Sequence, residues 1–237
     1  MYIIFDRKNA RADLVGSKAW NLYMLVDRFS IPEFAVVSTE AFRSYRTSKK
    51  ITPELEAELR DVLERFLKEG PVAIRSSGTA EDLPGRSFAG MYTTTLNVKT
   101  VEDGIAAVIR SFNSVNSERV KRYCKKMKVG HGDMAVIIQH QLEAEVSGVM
   151  VTQDPVEHTE VVVECCRGLG EKLVAGGITP SRYRARKNRI VEQNGEDLLS
   201  KKELFKIIKY GKRIEKLFKE PQDIEWAIDS AGRLFIL

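Results

Sequence analysis

The sequence predicts an α/β (α+β) fold in two lobes, with mixed or antiparallel sheets flanked by helices. Three observations lead there. The first half alternates short apolar strands with helices of 3.6-residue periodicity, and the second half is dominated by β-branched runs. The composition is that of an ordinary globular protein: of 237 residues, 43% are hydrophobic and 30% charged. That is enough apolar material to bury a core, and too much for a collagen-like or disordered chain.

Gly16-Ser17 opens the first helix, whose apolar stripe is Ala19, Leu22, Tyr23, Val26 and Phe29, and Ile31-Pro32 ends it. Phe34-Ala-Val-Val37 reads as a short buried strand, after which Thr39 caps a helix carrying Phe42 and Tyr45. Thr52-Pro53 is an N-cap followed by proline in the first turn, and Leu55, Leu59, Val62, Leu63 and Phe66 form the stripe of that helix. Gly70-Pro71 stops it, and the strand Val72-Ala-Ile-Arg75 follows. A polar stretch from Arg75 to Gly90 has almost no periodicity and runs into the β-branched segment Tyr92–Val98. Thr100 to Asp103 opens a helix through Val108 and Phe112, and Ser117 starts another.

The second half offers strands at Met134–His140, Val146–Thr152 and Thr159–Glu164, the last broken by Gly168-Leu-Gly170. A hairpin spans Tyr183 to Ile190, with Lys187-Asn188 at its turn. A helix from about Ser200 carries Leu204, Ile207, Ile208, Ile214, Leu217 and Phe218. Asp223–Asp229 and Arg233–Leu237 form a closing hairpin around a Ser-Ala-Gly turn. The change of element type divides the chain into lobes 1–130 and 131–237, the first holding a phosphate-binding loop.

Composition also narrows the function. No run reaches the roughly 18 apolar residues of a membrane span, and Met1–Asp6 has no basic leader. Three cysteines without a CxxC pair fit a reducing compartment, so the expected location is cytoplasmic, away from membranes. The net charge of +5 is spread over short basic runs with no recognition motif, which speaks against nucleic acid. His131, His140 and His158 are scattered, and Cys124, Cys165 and Cys166 read as small apolar residues.

Three constellations could carry chemistry. In the segment Arg75–Gly90, four hydroxyls (Ser76, Ser77, Thr79, Ser87), three glycines and the pair Arg75 and Arg86 suit a phosphate chain: glycines admit backbone N–H groups, hydroxyls donate, and arginine offers a fork. A surface loop rich in turn residues has the same composition. Gly16-Ser17-Lys18 places a helix N-terminus and a lysine where an anion could bind, although a lysine in a first helical turn is commonly just solvated. Asp223 and Glu225 alternate with Ile224, Trp226 and Ile228, which leaves two carboxylates about 7 Å apart on one face, able to hold Mg²⁺. The polar face of an edge hairpin has the same pattern.

Taken in order, these segments resemble the N-terminal ATP-binding domain of phosphoenolpyruvate synthase (pyruvate, water dikinase) and pyruvate, phosphate dikinase, shared by the rifampicin phosphotransferases. The matching stretches are Val15-Gly-Ser-Lys-Ala-Trp-Asn-Leu22, Val72-Ala-Ile-Arg-Ser-Ser-Gly-Thr-Ala-Glu-Asp-Leu-Pro84, Ser87-Phe-Ala-Gly90, Met134–Gln139, Val146–Met150, Gly168-Leu-Gly-Glu171 and Gln222-Asp-Ile-Glu-Trp226. The resemblance implies an ATP-grasp-like fold with ATP and Mg²⁺ as cofactors. It implies that Lys18 and Arg75 contact phosphates and serve catalysis, that Gly90, Thr94 and Thr95 form a closing loop, and that Gln139 lies at the adenine and ribose side. Glu225, with Asp223 beside it, would hold the metal. In the family ATP is cut to AMP and its β-phosphoryl passes to a histidine on another domain.

This chain has Gly-Ser-Lys-Ala where the family has Gly-Gly-Lys-Gly, and Gly78 where the family has alanine. Neither a phosphohistidine motif nor a phosphoenolpyruvate/pyruvate-binding domain is present, so partners in trans, or domains lost by truncation, are implied. In the family the last strand runs on into Gln-x-Arg-Pro; here Phe235 and Leu237 are expected to pair with Ile228 and Trp226, placing the next residue across from Glu225. The reading that follows is a phosphotransferase of the pyruvate, water dikinase type, incomplete on its own. A nucleotide-binding regulatory module without transfer activity, and a fragment of a rifampicin-type small-molecule phosphotransferase, are the alternatives.

Overall fold

A computed structural model describes residues 1–80, 93–127, 130, 132–154, 158–170, 177, 179–187 and 189–237. They divide into two compact units, Met1–Asp27 with Pro32–Gln141, and Arg28–Ile31 with Leu142–Leu237. No helix among the described residues is long and apolar enough to cross a membrane.

The first unit contains β1 (Ile3–Ile4), α1 (Ala12–Leu25), β2 (Phe34–Val37), α2 (Thr39–Ser48), α3 (Pro53–Leu67), β3 (Val72–Gly78), β4 (Thr94–Val98), α4 (Val101–Ser114), α5 (Glu118–Met127) and β5 (Met134–His140). Its sheet runs β1-β2-β5-β3-β4, every pairing antiparallel. Strand alternation sends Ala35, Val37, Val72, Ile74, Val136 and Ile138 into one core, with the α3 stripe and Val108 and Phe112 of α4. The α3 N-cap is the one expected: Thr52 accepts from the Leu55 amide and Pro53 takes the first turn.

The second unit contains β6 (Ala144–Val151), β7 (Val161–Arg167), β8 (Ser181–Arg186), β9 (Arg189–Asn194), α6 (Lys201–Phe218), β10 (Asp223–Asp229) and β11 (Leu234–Ile236). Its antiparallel sheet runs β11-β10-β6-β7-β8-β9. Ser200 and Glu203 close a capping box at the start of α6. Trp226, Ile224 and Ile228 are buried on one face of β10, the face that also carries Met150 of β6, against which Gly211 of α6 packs.

Thr39 is not the cap of α2: Ser38 holds that place, and the Thr39 hydroxyl donates to the Asp13 carbonyl at 2.8 Å. Four further details differ from the sequence expectation. The division after residue 130 falls one strand short, because β5 is the central strand of the first sheet and pairs with both β2 and β3. The first helix ends at Leu25; Val26 is exposed, and Phe29, which belongs to the second unit, meets Tyr210 edge to face with ring centroids 5.2 Å apart and Arg213 over its ring. The strand ending at Arg75 continues through Ser76 and Ser77 to Gly78, because β5 supplies a partner for each of those residues. The closing hairpin is displaced by one residue: Ile236 pairs with Trp226, Phe235 with Ala227, and the Leu237 amide donates to the Glu225 carbonyl. Asp229 sets that register, accepting from the amides of Ala231 and Arg233 and from the Arg233 guanidinium.

Inside α1 the backbone breaks at Gly16, which has φ 73° and ψ 169°, so the helix proper restarts at Ser17. A Cβ at Gly16 would lie 2.0 Å from the Ser77 carbonyl oxygen. Both the positive φ and the backbone approach require glycine there.

Gly16→Ala should therefore destabilise the protein by more than about 2 kcal/mol, read as a lowered denaturation midpoint. Leu59→Ala, at a side chain with no exposed surface, should cost about 3–5 kcal/mol by the same measurement.

Candidate functional site

In the first unit, β3 and β5 position the polar residues that the sequence singles out. Arg75 pairs with Ile137 and Ala73 with Gln139, so Arg75 and Gln139 share the face of the sheet opposite the α3 core. The Arg75 guanidinium donates to Gln139 Oε1 at 3.2 Å, and the Gln139 amide donates to the Pro32 carbonyl at 3.3 Å. Arg75 is only 7% exposed and Gln139 2%. A guanidinium this deep needs hydrogen-bond acceptors, because burying an ion without them is costly.

Lys18 lies in the first turn after the Gly16 break, half-buried, with its Nζ 3.5 Å from the Ser76 carbonyl. The residue whose carbonyl Lys18 reaches is thus the chain neighbour of Arg75. Thr94 pairs directly with Arg75 and shares its face, whereas Thr95 pairs with Ile74 and faces the core. The structure therefore brings one of the two threonines to Arg75. Gly90, Arg86 and Ser87 lie outside the described residues.

In the second unit, Asp223 and Glu225 do share one face of β10. Directly paired residues across an antiparallel ladder lie on the same face, so the row Glu225, Val149, Glu164, Arg182 runs across four strands. Glu164 stands about 10 Å from Glu225, two strand spacings away, with the Arg182 guanidinium at 3.6 Å from its carboxylate. The next row carries Asp223, Val151, Val162 and Arg184. Arg184 reaches Glu160 at 2.8 Å and Glu192 at 2.9 Å.

Sequence reasoning missed Glu164 and Arg182, since a single acidic residue in an apolar run carries no spacing signal; pairing β7 with β6 would have revealed the shared face. Solvent reaches Asp223, yet the protein packed around its carboxyl desolvates it and raises its pKa.

Mg²⁺ prefers oxygen ligands and needs only one or two carboxylates when phosphates and water complete its shell. Asp223 and Glu225 fit that requirement, both by donor chemistry and by sharing a face. Among the described residues no group of three or more His, Cys, Asp and Glu is placed to hold a metal by itself.

The remaining candidates settle into structural places. His140 stacks on Phe66 with ring centroids 4.6 Å apart, and His131 lies outside the described residues. Cys124, Cys165 and Cys166 are buried and free. Burial, with Cys166 beside it, pushes the Cys165 thiol up to about 12, which leaves no thiolate at neutral pH.

Comparison with known proteins agrees with the motifs. The family "Pyruvate phosphate dikinase, AMP/ATP-binding domain" matches residues 46–197 and 187–237. The chain is 31% identical over 251 residues to a probable phosphoenolpyruvate synthase of Pyrococcus abyssi, covering 89% of this chain and 31% of that protein. It is 32% identical over 244 residues to the phosphoenolpyruvate synthase of Pyrococcus furiosus, covering 84% and 30%. Among solved structures, D-alanyl-alanine synthetase A from Vibrio cholerae aligns with 92% of this chain and 52% of that chain, at a TM-score of 0.47 and 13% identity. The chain spans about a third of the length of the curated relatives it matches. A mixed α/β fold with antiparallel sheets and a family match over most of its length lead to one conclusion: the chain belongs to the pyruvate phosphate dikinase AMP/ATP-binding domain family.

Proposed function

We propose that this chain binds Mg·ATP in an ATP-grasp-like manner and is the nucleotide-handling part of a phosphotransferase of the pyruvate, water dikinase type. The observation that carries the reading is Arg75: a guanidinium held on a central strand, almost fully buried, with Lys18 seated against the next residue. Structural surface arginines do not need such a seat, whereas a phosphate chain is recognised by a fixed fork and a neighbouring ammonium.

In this reading Lys18 and Arg75 neutralise phosphate oxygens, and Thr94 donates from the same face. Gly90 belongs to the closing loop, which Thr95 joins through its backbone alone since its side chain faces the core, and Gln139 orients Arg75 while lying on the base side. Glu225 and Asp223 hold Mg²⁺, which when bound neutralises phosphate charge and orients the chain of phosphates. Positioning and charge neutralisation are the protein's contribution to such a transfer, as in phosphoryl transfer generally. The overall reaction would cut ATP to AMP, pass the β-phosphoryl to a histidine on another domain or subunit, and release the γ-phosphoryl to water as inorganic phosphate. Release of AMP rather than ADP is the product test of that step.

Calorimetric titration with Mg²⁺ and a non-hydrolysable ATP analogue tests the site directly. Saturable binding is expected, and Arg75→Ala should weaken it by more than about a hundredfold, because a charge-assisted fork is lost from a buried position. Unchanged affinity removes Arg75 from the site.

Glu225→Gln should reduce affinity measured with Mg²⁺ by about tenfold or more while leaving metal-free binding within about twofold, since it removes one charged metal ligand. An equal loss in both conditions shows that Glu225 is not a ligand.

A further inference from the structure

The break in α1 is closed by a side chain from another element. The Ala19 amide donates to Ser77 Oγ at 3.0 Å, and the Ser77 hydroxyl donates to the Val15 carbonyl at 2.8 Å. Val15 and Ala19 are four residues apart, so in an unbroken helix their backbone groups would bond to each other. Here the Ser77 hydroxyl stands between them, which is one of the known causes of a helix kink. Ser77 has no exposed surface, and Gly16, between the two bonded residues, has its Cα against the Ser77 backbone. Lys18 sits between Gly16 and Ala19, and the carbonyl its Nζ approaches belongs to Ser76, the neighbour of Ser77.

We propose that Ser77 is a positioning residue for Lys18. The hydroxyl splices the start of the second helical segment onto β3 and so sets the Lys18 ammonium at the Ser76 carbonyl, the chain neighbour of Arg75. Ser77 belongs to the polar run that composition suggests for direct phosphate contact, but its two hydrogen bonds go to α1. If the hydroxyl is removed, the Ala19 amide and the Val15 carbonyl lose their shared partner, the turn that follows Gly16 is no longer tied to β3 by a side chain, and Lys18 moves with that turn. This inference rests on the nucleotide-binding reading for its consequence, but not for the placement of Lys18 itself.

A double-mutant cycle with Lys18→Met separates positioning from general loosening. Binding of a non-hydrolysable ATP analogue with Mg²⁺ is measured for the parent chain, Ser77→Ala, Lys18→Met and the double variant. Ser77→Ala should weaken binding about tenfold when Lys18 is present, the loss expected for one misplaced charged hydrogen bond. In the Lys18→Met background it should cost less than about twofold, because the residue it positions is gone. An equal loss in both backgrounds, or no loss in either, overturns the proposal. The acylation rate of Lys18 and the exchange protection of the Ala19 amide, both read without nucleotide, should change in Ser77→Ala; unchanged values also overturn it. Absence of binding by the parent chain would defeat the nucleotide reading alone, with these ligand-free readouts still deciding the placement of Lys18. Should Ser77→Ala fail to fold, Ser77→Cys, whose thiol is a weaker donor and acceptor, enters the same cycle with a smaller expected loss.

Discussion

Residue by residue from Val72 with His140 to Gly78 with Met134, β3 lies antiparallel to β5, and the placement of Arg75, Ser77 and Gln139 follows from that ladder. Its register sets which side chains of Val72–Gly78 enter the α3 core and which face α1. A slip of one residue would drive Arg75 and Ser77 into an apolar layer and Val72 and Ile74 out of it. The ladder is flanked by β2 on one side and β4 on the other, so neither strand is an edge. A polar strand segment can be central here because its backbone groups are paired and its side chains have dedicated partners.

Those partners explain how a charge is held in so dry a place. Gln139 is fixed by the Pro32 carbonyl through its amide nitrogen, which leaves its carbonyl oxygen facing the Arg75 guanidinium. The orientation of one buried amide is thereby set at both ends. In the second unit the polar face of the sheet follows another rule. Opposite charges sit across from each other, Glu164 with Arg182 and Glu192 with Arg184, so cross-strand attraction supports register as well as charge balance.

Much of this was legible in the chain. The α3 stripe and its Thr52-Pro53 start, the alternating carboxylates of β10 and the motif around Arg75 all carry local signals, because caps, periodicity and alternation are properties of neighbouring residues. What could not be read depends on partners far away in sequence. Arg75-Ser-Ser-Gly78 looks like a loop by composition, since turn residues and strand residues are separated only by what pairs with them; Met134–Ile137 supplies that pairing. Phe29 continues the helical spacing of Ala19, Leu22 and Tyr23, but its burial comes from Tyr210. The one-residue displacement of β11 was invisible because Phe235 and Ile236 are both apolar, and it is Asp229 that selects between them.

The interleaving of the units has a consequence for synthesis. Residues 28–31 belong to the second unit but are made before Pro32–Gln141, the larger part of the first. The Ser30 carbonyl accepts from the Ile236 amide, and Phe29 meets Tyr210, so this short strap waits for partners made about 180 to 200 residues later. The second unit therefore cannot close before Ile236 has been made. A fragment beginning at Leu142 would lack a piece of its own edge, and any circular permutation that opened the chain near residue 30 would cut the second unit rather than a linker.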